Sequence, residues 1–420
     1  MLYNIYDRII INNQVDITIT NYSNVNIESD IEKLTDRCTI TVPIKNLVLG
    51  KDPNTKNLRL LQNNSEEQFN ITIGNKVTVY FNYYKDTQQL QTIIDDKEYL
   101  KSIFIGYVST FNYNEDSIDI VCEDSNWLFK QKRLKNSWTI TNKDGKQTTP
   151  KLLDVIKYIK DNTPNTSDVN LNRVQDIEIG KFRVNDPSTG AEIFNKLKDE
   201  YSIHIYFTNE WDEATNKMIV YLNAGLKYRL ENTDFQTKAI YQYPYNDLYY
   251  PIISKSLVFN TFNKERDLAV IGTSYIQNKD ESYKYATKDG IKGTIETLDK
   301  KDKTVGENQL LKEIEDRPTR IELNIPNLTI SPFSATNEYS GSLAEMVNRT
   351  WLNFPTEGYE GSFETFVKPI IRIGDIIDIR IADGLTENPA SELHYVDEVS
   401  ISLSANTGLI QTITLGTKIS

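Results

Sequence analysis

Apolar and polar residues alternate at period two through most of the first third of the chain. The stretches "QVDITITNYSNVNIES", "RCTITVPI", "ITIGNKVTVYFNYY", "KSIFIGYVSTFNY" and "SIDIVCED" are rich in Ile, Val, Thr and Tyr, and clusters of Asn, Asp, Gly and Lys separate them. Alternation places every second side chain on one face of a sheet, so these segments predict strands. Five or six strands within about 130 residues predict a small antiparallel sandwich or barrel.

The period changes after Arg133. In "TTPKLLDVIKYIKDN", Leu152, Val155, Ile156 and Ile159 share one helical face, with Pro150 at the first turn. In "TGAEIFNKLKDEY", Thr189 and Glu192 have capping-box spacing, and Ile193, Phe194, Leu197 and Tyr201 form the apolar face. "SIHIYF" and "KMIVYLNAG" then predict two strands around the turn-like "NEWDEATN". These elements predict an α+β unit over 135–228. Over 229–318, "PIISKSLVFNTFN" and "RDLAVIGTSYIQ" read as strands, and the charged "KDESYKYATKDGIKG" and "LDKKDKT" as exposed turns. "TVGENQLLKEIEDRP" reads as a helix capped by Thr304 and Glu307 and stopped by Pro318. Strand patterning returns at 319–420, interrupted by one helix, "GSLAEMVNRTWLNF", with Ser342 and Glu345 as its box.

The two strand-rich ends echo one another. "ITIGNKVTVYF" (71–81) matches "IRIGDIIDIRI" (371–381), with Gly74 aligned to Gly374. "RCTITVPIKNL" (37–47) resembles "RIELNIPNL" (320–328), and "YVSTFNY" (107–113) resembles "YVDEVSI" (395–401). Any two amphipathic strands look alike, so one block carries little. Three in order predict a duplicated β-domain, the glycines marking positive φ or a close approach. The expected fold is mainly β, with an antiparallel β sandwich or barrel over 1–134, an α+β domain over 135–228, a β-rich connecting region with a short helix over 229–318, and a second such β-domain over 319–420.

Composition narrows the function. With 39% hydrophobic residues and 25% charged residues, the 420-residue chain has the make-up of a folded protein with a sizeable core. Its net charge of −12 argues against nucleic-acid binding through phosphate neutralisation. No signal peptide and no run long enough to span a membrane are read. The two cysteines, Cys38 and Cys122, sit in alternating runs and read as buried strand thiols; the sequence leaves a disulfide between them open.

Candidate chemistry is sparse. The two histidines, His204 and His394, occupy strand positions without a second ligand at metal spacing. Nucleotide, hydrolase, zinc-protease and CxxC motifs are absent. Gly290 and Glu296 fall at calcium-loop spacing, but Tyr285 stands where that loop needs Asp, so an Asp-Gly turn is expected. The carboxylate pairs Asp95–Asp96, Glu123–Asp124 and Asp375–Asp378 meet the residue type for glycoside hydrolysis. The plainer reading puts Asp375 in a turn and Asp378 on the polar side of a strand. No catalytic, cofactor or metal residue is assigned.

The order of parts resembles the baseplate or tail-tip hub proteins of tailed bacteriophages, including the late-control-protein-D type. "FIGYVSTFNYNEDSIDIVCEDSNWLFKQ" is similar to the end of that family's first tube domain. "KFRVNDPSTGAEIFNKLKDEYSIHIYF" is similar to its middle unit, and "FVKPIIRIGDIIDIRI" with "ELHYVDEVSISLSANTGLIQTITLG" to its closing barrel strands. One turn departs: Ala286 stands where the family carries Gly. The chain ends at "LGTKIS" after the last expected strand, so no lysin domain is expected.

The resemblance implies two tail-tube-like barrels per chain and a structural, non-enzymatic role in the virion. It implies a homotrimer presenting six barrels, joining a sixfold tail tube to a threefold spike or tail tip and lining the DNA channel, after assembly in the host cytoplasm. Implied partners are the tube protein, a central spike or fibre protein, the tape measure and other baseplate proteins, with DNA passing through unbound. The alternatives are a distal-tail ring, a receptor- or carbohydrate-binding adhesin and, behind these, a tail-associated cell-wall hydrolase.

Overall fold

The computed structural model describes residues 4–12, 16–19, 22–44, 58–61, 68–84, 101–138, 151–175, 182–201, 203–212, 214–225, 240–244, 252–262, 264–276, 282–289, 293–298, 319–326, 347, 350–351, 354, 357–367, 369–380, 391–405 and 407–419.

The first third forms nine strands: β1 (Asn4–Asn12), β2 (Asp16–Ile19), β3 (Asn24–Asp30), β4 (Arg37–Pro43), β5 (Leu58–Leu61), β6 (Gln68–Ile71), β7 (Lys76–Tyr84), β8 (Phe104–Tyr113) and β9 (Ser117–Glu123). A short helix, α1 (Asn126–Phe129), closes it. The middle holds β10 (Arg133–Trp138), α2 (Leu152–Asn162), β11 (Val169–Val174), β12 (Phe182–Thr189), α3 (Gly190–Tyr201), β13 (His204–Asp212) and β14 (Lys217–Gly225). There follow β15 (Ile240–Pro244), β16 (Ile252–Asn260), α4 (Lys264–Asp267), β17 (Leu268–Ile276), β18 (Ser282–Asp289), β19 (Gly293–Leu298) and β20 (Thr319–Pro326). The last are β21 (Gly358–Phe366), β22 (Ile376–Arg380), β23 (Ser391–Ser404) and β24 (Gly408–Lys418).

A 13-stranded sheet runs through both ends of the chain, in the order β16-β21-β24-β23-β3-β4-β9-β8-β7-β1-β2, with β22 joining β15 to β23. Its pairs are antiparallel except β15 with β22. The alternation predicts its core: Val25, Ile27, Cys38, Ile40, Ile118, Ile120, Val399, Ile401 and Ile413 are buried in one cluster. The joint between the two ends is β3 against β23, from Asn24 opposite Ser404 to Asp30 opposite Glu398.

The duplication is visible in pairing. β3-β4-β9-β8-β7 repeats as β16-β21-β24-β23-β22. The Gly-containing turn is built twice. Asn75 N–H donates to Thr72 O and Asp375 N–H to Arg372 O, both at 3.1 Å. The side chains of Asn75 and Asp375 accept the Thr72 and Arg372 amides at 2.7 and 2.8 Å. Gly74 and Gly374, at φ +92° and +75°, occupy the left-handed third position. Their amides donate to Val108 O and Val396 O, each at 2.8 Å. Directly beyond, one residue bulges from each receiving strand, Ser109 in β8 and Asp397 in β23.

Three expectations need correction. "RIELNIPNL" is not the counterpart of β4. Its strand β20 lies in a separate sheet, β19-β18-β17-β20, parallel to β17, and the counterpart of β4 is β21. Alternation with a proline is a property of many strands, whereas pairing order is not. The second unit also takes β15 and β16 from the stretch read as a connecting region. Finally, "SYKYATKD" is strand β18, not an exposed turn. Its Lys and Asp residues sit between β17 and β19, and Ala286 lies opposite Glu296.

The middle unit follows its pattern. Leu152, Val155, Ile156 and Ile159 of α2 are fully buried, as are Phe194 and Leu197 of α3. The capping box forms: Thr189 N–H donates to Glu192 Oε2 at 2.7 Å and Glu192 N–H to Thr189 Oγ1 at 3.2 Å. The 304–318 helix and its Thr304–Glu307 box, Pro150, Ser342 and Glu345 lie outside the described residues. Within the last predicted helix, Val347 and Trp351 are helical and buried.

Candidate functional site

The face of the long sheet opposite the core is a polar surface that crosses both repeats. On it stand Asn24, Asn26 and Glu28 of β3, opposite Thr41, Thr39 and Arg37 of β4 on one side and Ser404, Ser402 and Ser400 of β23 on the other. Thr412 and Thr414 of β24, then Glu364 and Ser362 of β21, continue it to Ser254 of the edge strand β16. These side chains satisfy one another. Thr41 donates to Asp119 at 2.7 Å, Asn26 to Glu28 at 2.7 Å and Ser254 to Glu364 at 2.6 Å. Arg37 stands opposite both Glu28 and Glu123. The surface therefore offers hydroxyls, amides and carboxylates held by neighbours, with its cation flanked by acids. Such a face presents few cations to neutralise phosphate.

Beneath the joint lies a narrow crevice where three parts of the chain meet. Asp36 and Asp124 come from the first unit, Phe207 and Thr208 from β13, and Ile371, Arg372 and Ile373 from the second unit. Asp36 N–H donates to Asp124 Oδ2 at 3.2 Å and Asn126 N–H to Asp124 Oδ1 at 2.9 Å. Burial pushes the Asp36 carboxyl up to about 7, with the Asp30 charge adding to the rise and a Ser29 hydrogen bond opposing it. Burial, and then the charge of Asp36, push Asp124 up as well. Burial of this kind disfavours the charged form of both acids, in a crevice lined by Ile and Phe side chains together with Thr208, Asn209 and Arg372. Asp124 serves as a backbone clamp, holding the loop before β4 against α1.

The titratable residues singled out in the sequence are dispersed. Glu123 pairs with Lys130 at 2.6 Å. His204 Nδ1 lies 3.4 Å from Ile31 O. His394, buried in β23, contacts Glu392 Oε2 at 3.1 Å and Gly416 O at 3.2 Å. Glu392, which the sequence alone did not single out, also accepts Lys418 Nζ at 2.9 Å and Tyr359 N–H at 3.1 Å. Burial raises its carboxyl, but those hydrogen bonds together hold it below the usual range. Asp375 is in the turn, as expected. Asp378 is buried rather than on a polar face: Ile377 and Ile379 are buried as well, so both faces of β22 are covered. Asp95 and Asp96 lie outside the described residues. Glu296 is a strand residue, not a loop ligand. Cys38 and Cys122 face one another across β4 and β9 as free, buried thiols. Among the described residues, no group of three His, Cys, Asp or Glu side chains is placed to hold a metal.

No protein-family model matches the chain, and no curated protein matches it in sequence. Solved structures do. The tail protein from Neisseria meningitidis MC58 superposes at a TM-score of 0.52 with 11% identity, over 99% of this chain and 96% of that one. The 43 kDa tail protein of prophage MuSo2 from Shewanella oneidensis gives 0.47 and 11% identity, over 97% of both chains. The c3393 protein of E. coli, a component of the type VI secretion system with structural similarity to the T4 tail proteins gp27 and gp5, gives 0.47 and 9%, over 95% of this chain and 74% of that one. The likeness to the Neisseria protein extends from end to end, and the chain shares the fold of that tail protein.

Proposed function

We propose that the chain is the structural hub of a phage tail or baseplate, a trimer whose six β-units form a ring around the DNA channel. The observation that carries this is the continuous sheet: two repeats of one β-unit are already joined side by side, with a single polar face running across the joint. A unit that pairs laterally with its own repeat is a ring-building unit. Three chains then supply six near-equivalent units, matching a sixfold tube, while the differences between repeats leave only threefold symmetry for a spike or tip. Such a ring closes through heterologous interfaces.

In this reading the polar face lines the channel, and the net charge of −12 favours passage of DNA without binding. The tube, spike or fibre, tape-measure and baseplate proteins are the partners, the virion is the location, and the role is non-enzymatic. The divisions at 134 and 228 are kept, while β15 and β16 are assigned to the second unit and β20 to the intervening sheet. Light scattering on the purified chain tests the reading: three copies of the 48.4 kDa chain are expected, and a chain that stays monomeric at high concentration overturns it.

A further inference from the structure

We infer that the edge strand β16 of one copy pairs with the second half of β8 in the next copy, repeating between chains the β3–β23 joint within each. The inference rests on the trimeric ring proposed above and names its seam.

Three observations carry it. The first is a pair of edges in equivalent places that carry no second strand among the described residues. Beyond its bulge, β23 carries β24 on one side and β3 on the other, through Glu398–Ser404. The equivalent stretch of β8, from Thr110 to Tyr113, pairs with β9, but its pairing with β7 stops at Tyr107. The counterpart of β3 is β16, which pairs with β21 alone among the described strands. An exposed strand edge of this length is normally covered or guarded by charge.

The second is that exposed apolar residues stand on both edges. Phe259 of β16 is 44% exposed and Tyr113 of β8 is 52% exposed. Register carries the internal joint onto them: Ile27 opposite Ile401 becomes Leu257 opposite Tyr113, and Ser29 opposite Val399 becomes Phe259 opposite Phe111. Aromatic and aliphatic cross-strand pairs of this kind stabilise a sheet.

The third comes from the repeated turn. Ile373 is 1% exposed because it sits in the crevice beneath the internal joint, against the first unit and β13. Ile73, in the same turn position, is 48% exposed. The proposed seam brings a neighbouring second unit to the surface that Ile73 presents.

Cross-linking tests the seam. On the polar face, Glu28 opposite Ser400 maps to Val258 opposite Asn112, both exposed in the chain. Val258→Cys and Asn112→Cys chains, prepared separately, mixed and oxidised, are expected to give a disulfide-linked dimer that neither gives alone. The double variant should give linked trimers. A three-copy particle that forms no such link overturns the seam and leaves the ring standing. A link within a particle of another copy number supports the seam and overturns the trimer. A monomer with no link overturns both. Phe259→Asp serves as a second readout, with dissociation of the assembly expected and an unchanged mass counting against the seam.

Discussion

Ile73 and Ile373 hold the same position in the same glycine turn, yet one is 48% exposed and the other 1%. Their backbones match down to the hydrogen bonds of the flanking glycines. What differs is the neighbour: Ile373 has one within the chain, and Ile73 faces outward. The proposed seam accounts for this inequality.

The turns are expected to be rigid determinants of each unit. At Gly74 a Cβ would lie 2.9 Å from the Trp127 ring, and φ is +92°. Gly74→Ala should therefore cost at least the 1–2 kcal/mol of a left-handed L-residue, read as a lower denaturant midpoint. Gly374→Ala, at φ +75°, should lose a similar amount. An unchanged midpoint in either would dissociate the glycines from the turn geometry.

Tyr83 ties the two units together. Its hydroxyl donates to Leu409 O and accepts the Val367 amide at 3.4 Å. Its ring meets Phe366 edge-on at 6.0 Å. Tyr83→Phe keeps the ring and strands a buried carbonyl, so a loss of about 1–3 kcal/mol is expected in equilibrium unfolding.

The acids beneath the joint give stability a pH slope. Because the folded Asp36 carboxyl titrates near 7, above the ordinary 3.8, the native state holds more protons than the unfolded one between those values. The contribution of this group is fully present below the lower value and is lost as pH rises through 7. Glu392, held below the usual range, works the other way, and its contribution is lost on acidification. Asp36→Asn should flatten the decline between about pH 4 and 7, the window set by the unfolded and folded values, measured by thermal unfolding at each pH. An unaltered slope would remove Asp36 as its source.

Cys38 and Cys122 should behave as buried, protonated thiols, since burial pushes both well above the ordinary range. A thiol reagent is expected to find neither in the folded protein and both after denaturation without reductant. A null titre after denaturation would mean a disulfide.

Much of this fold was legible in the sequence where one physical rule dominated. Period-two alternation located β3, β4, β7, β8 and β9, and the Thr189–Glu192 spacing located the start of α3. The echo at Gly74 and Gly374 was recoverable because positive φ leaves few residue choices. Pairing order was not legible: Arg320–Pro326 looked like β4, and only the ladder showed that β21 takes that place. Lys284 and Asp289 hid a strand, because a charged run reads as a turn even where, as in β18, it pairs on both sides. The polar face was also hidden, since Ser, Thr and Asn at alternate positions are the ordinary complement of any half-buried strand. Its meaning came from the joint, which depends on residues nearly four hundred positions apart.

The most direct measurement is a cryo-electron microscopy map of the assembled protein. A closed threefold ring of six β-units is predicted, with β16 of each chain hydrogen-bonded to β8 of the next and the Asn26, Ser400 and Thr412 face turned to the channel. A ring of another order, or one with β16 open to solvent and that face turned outward, would contradict it.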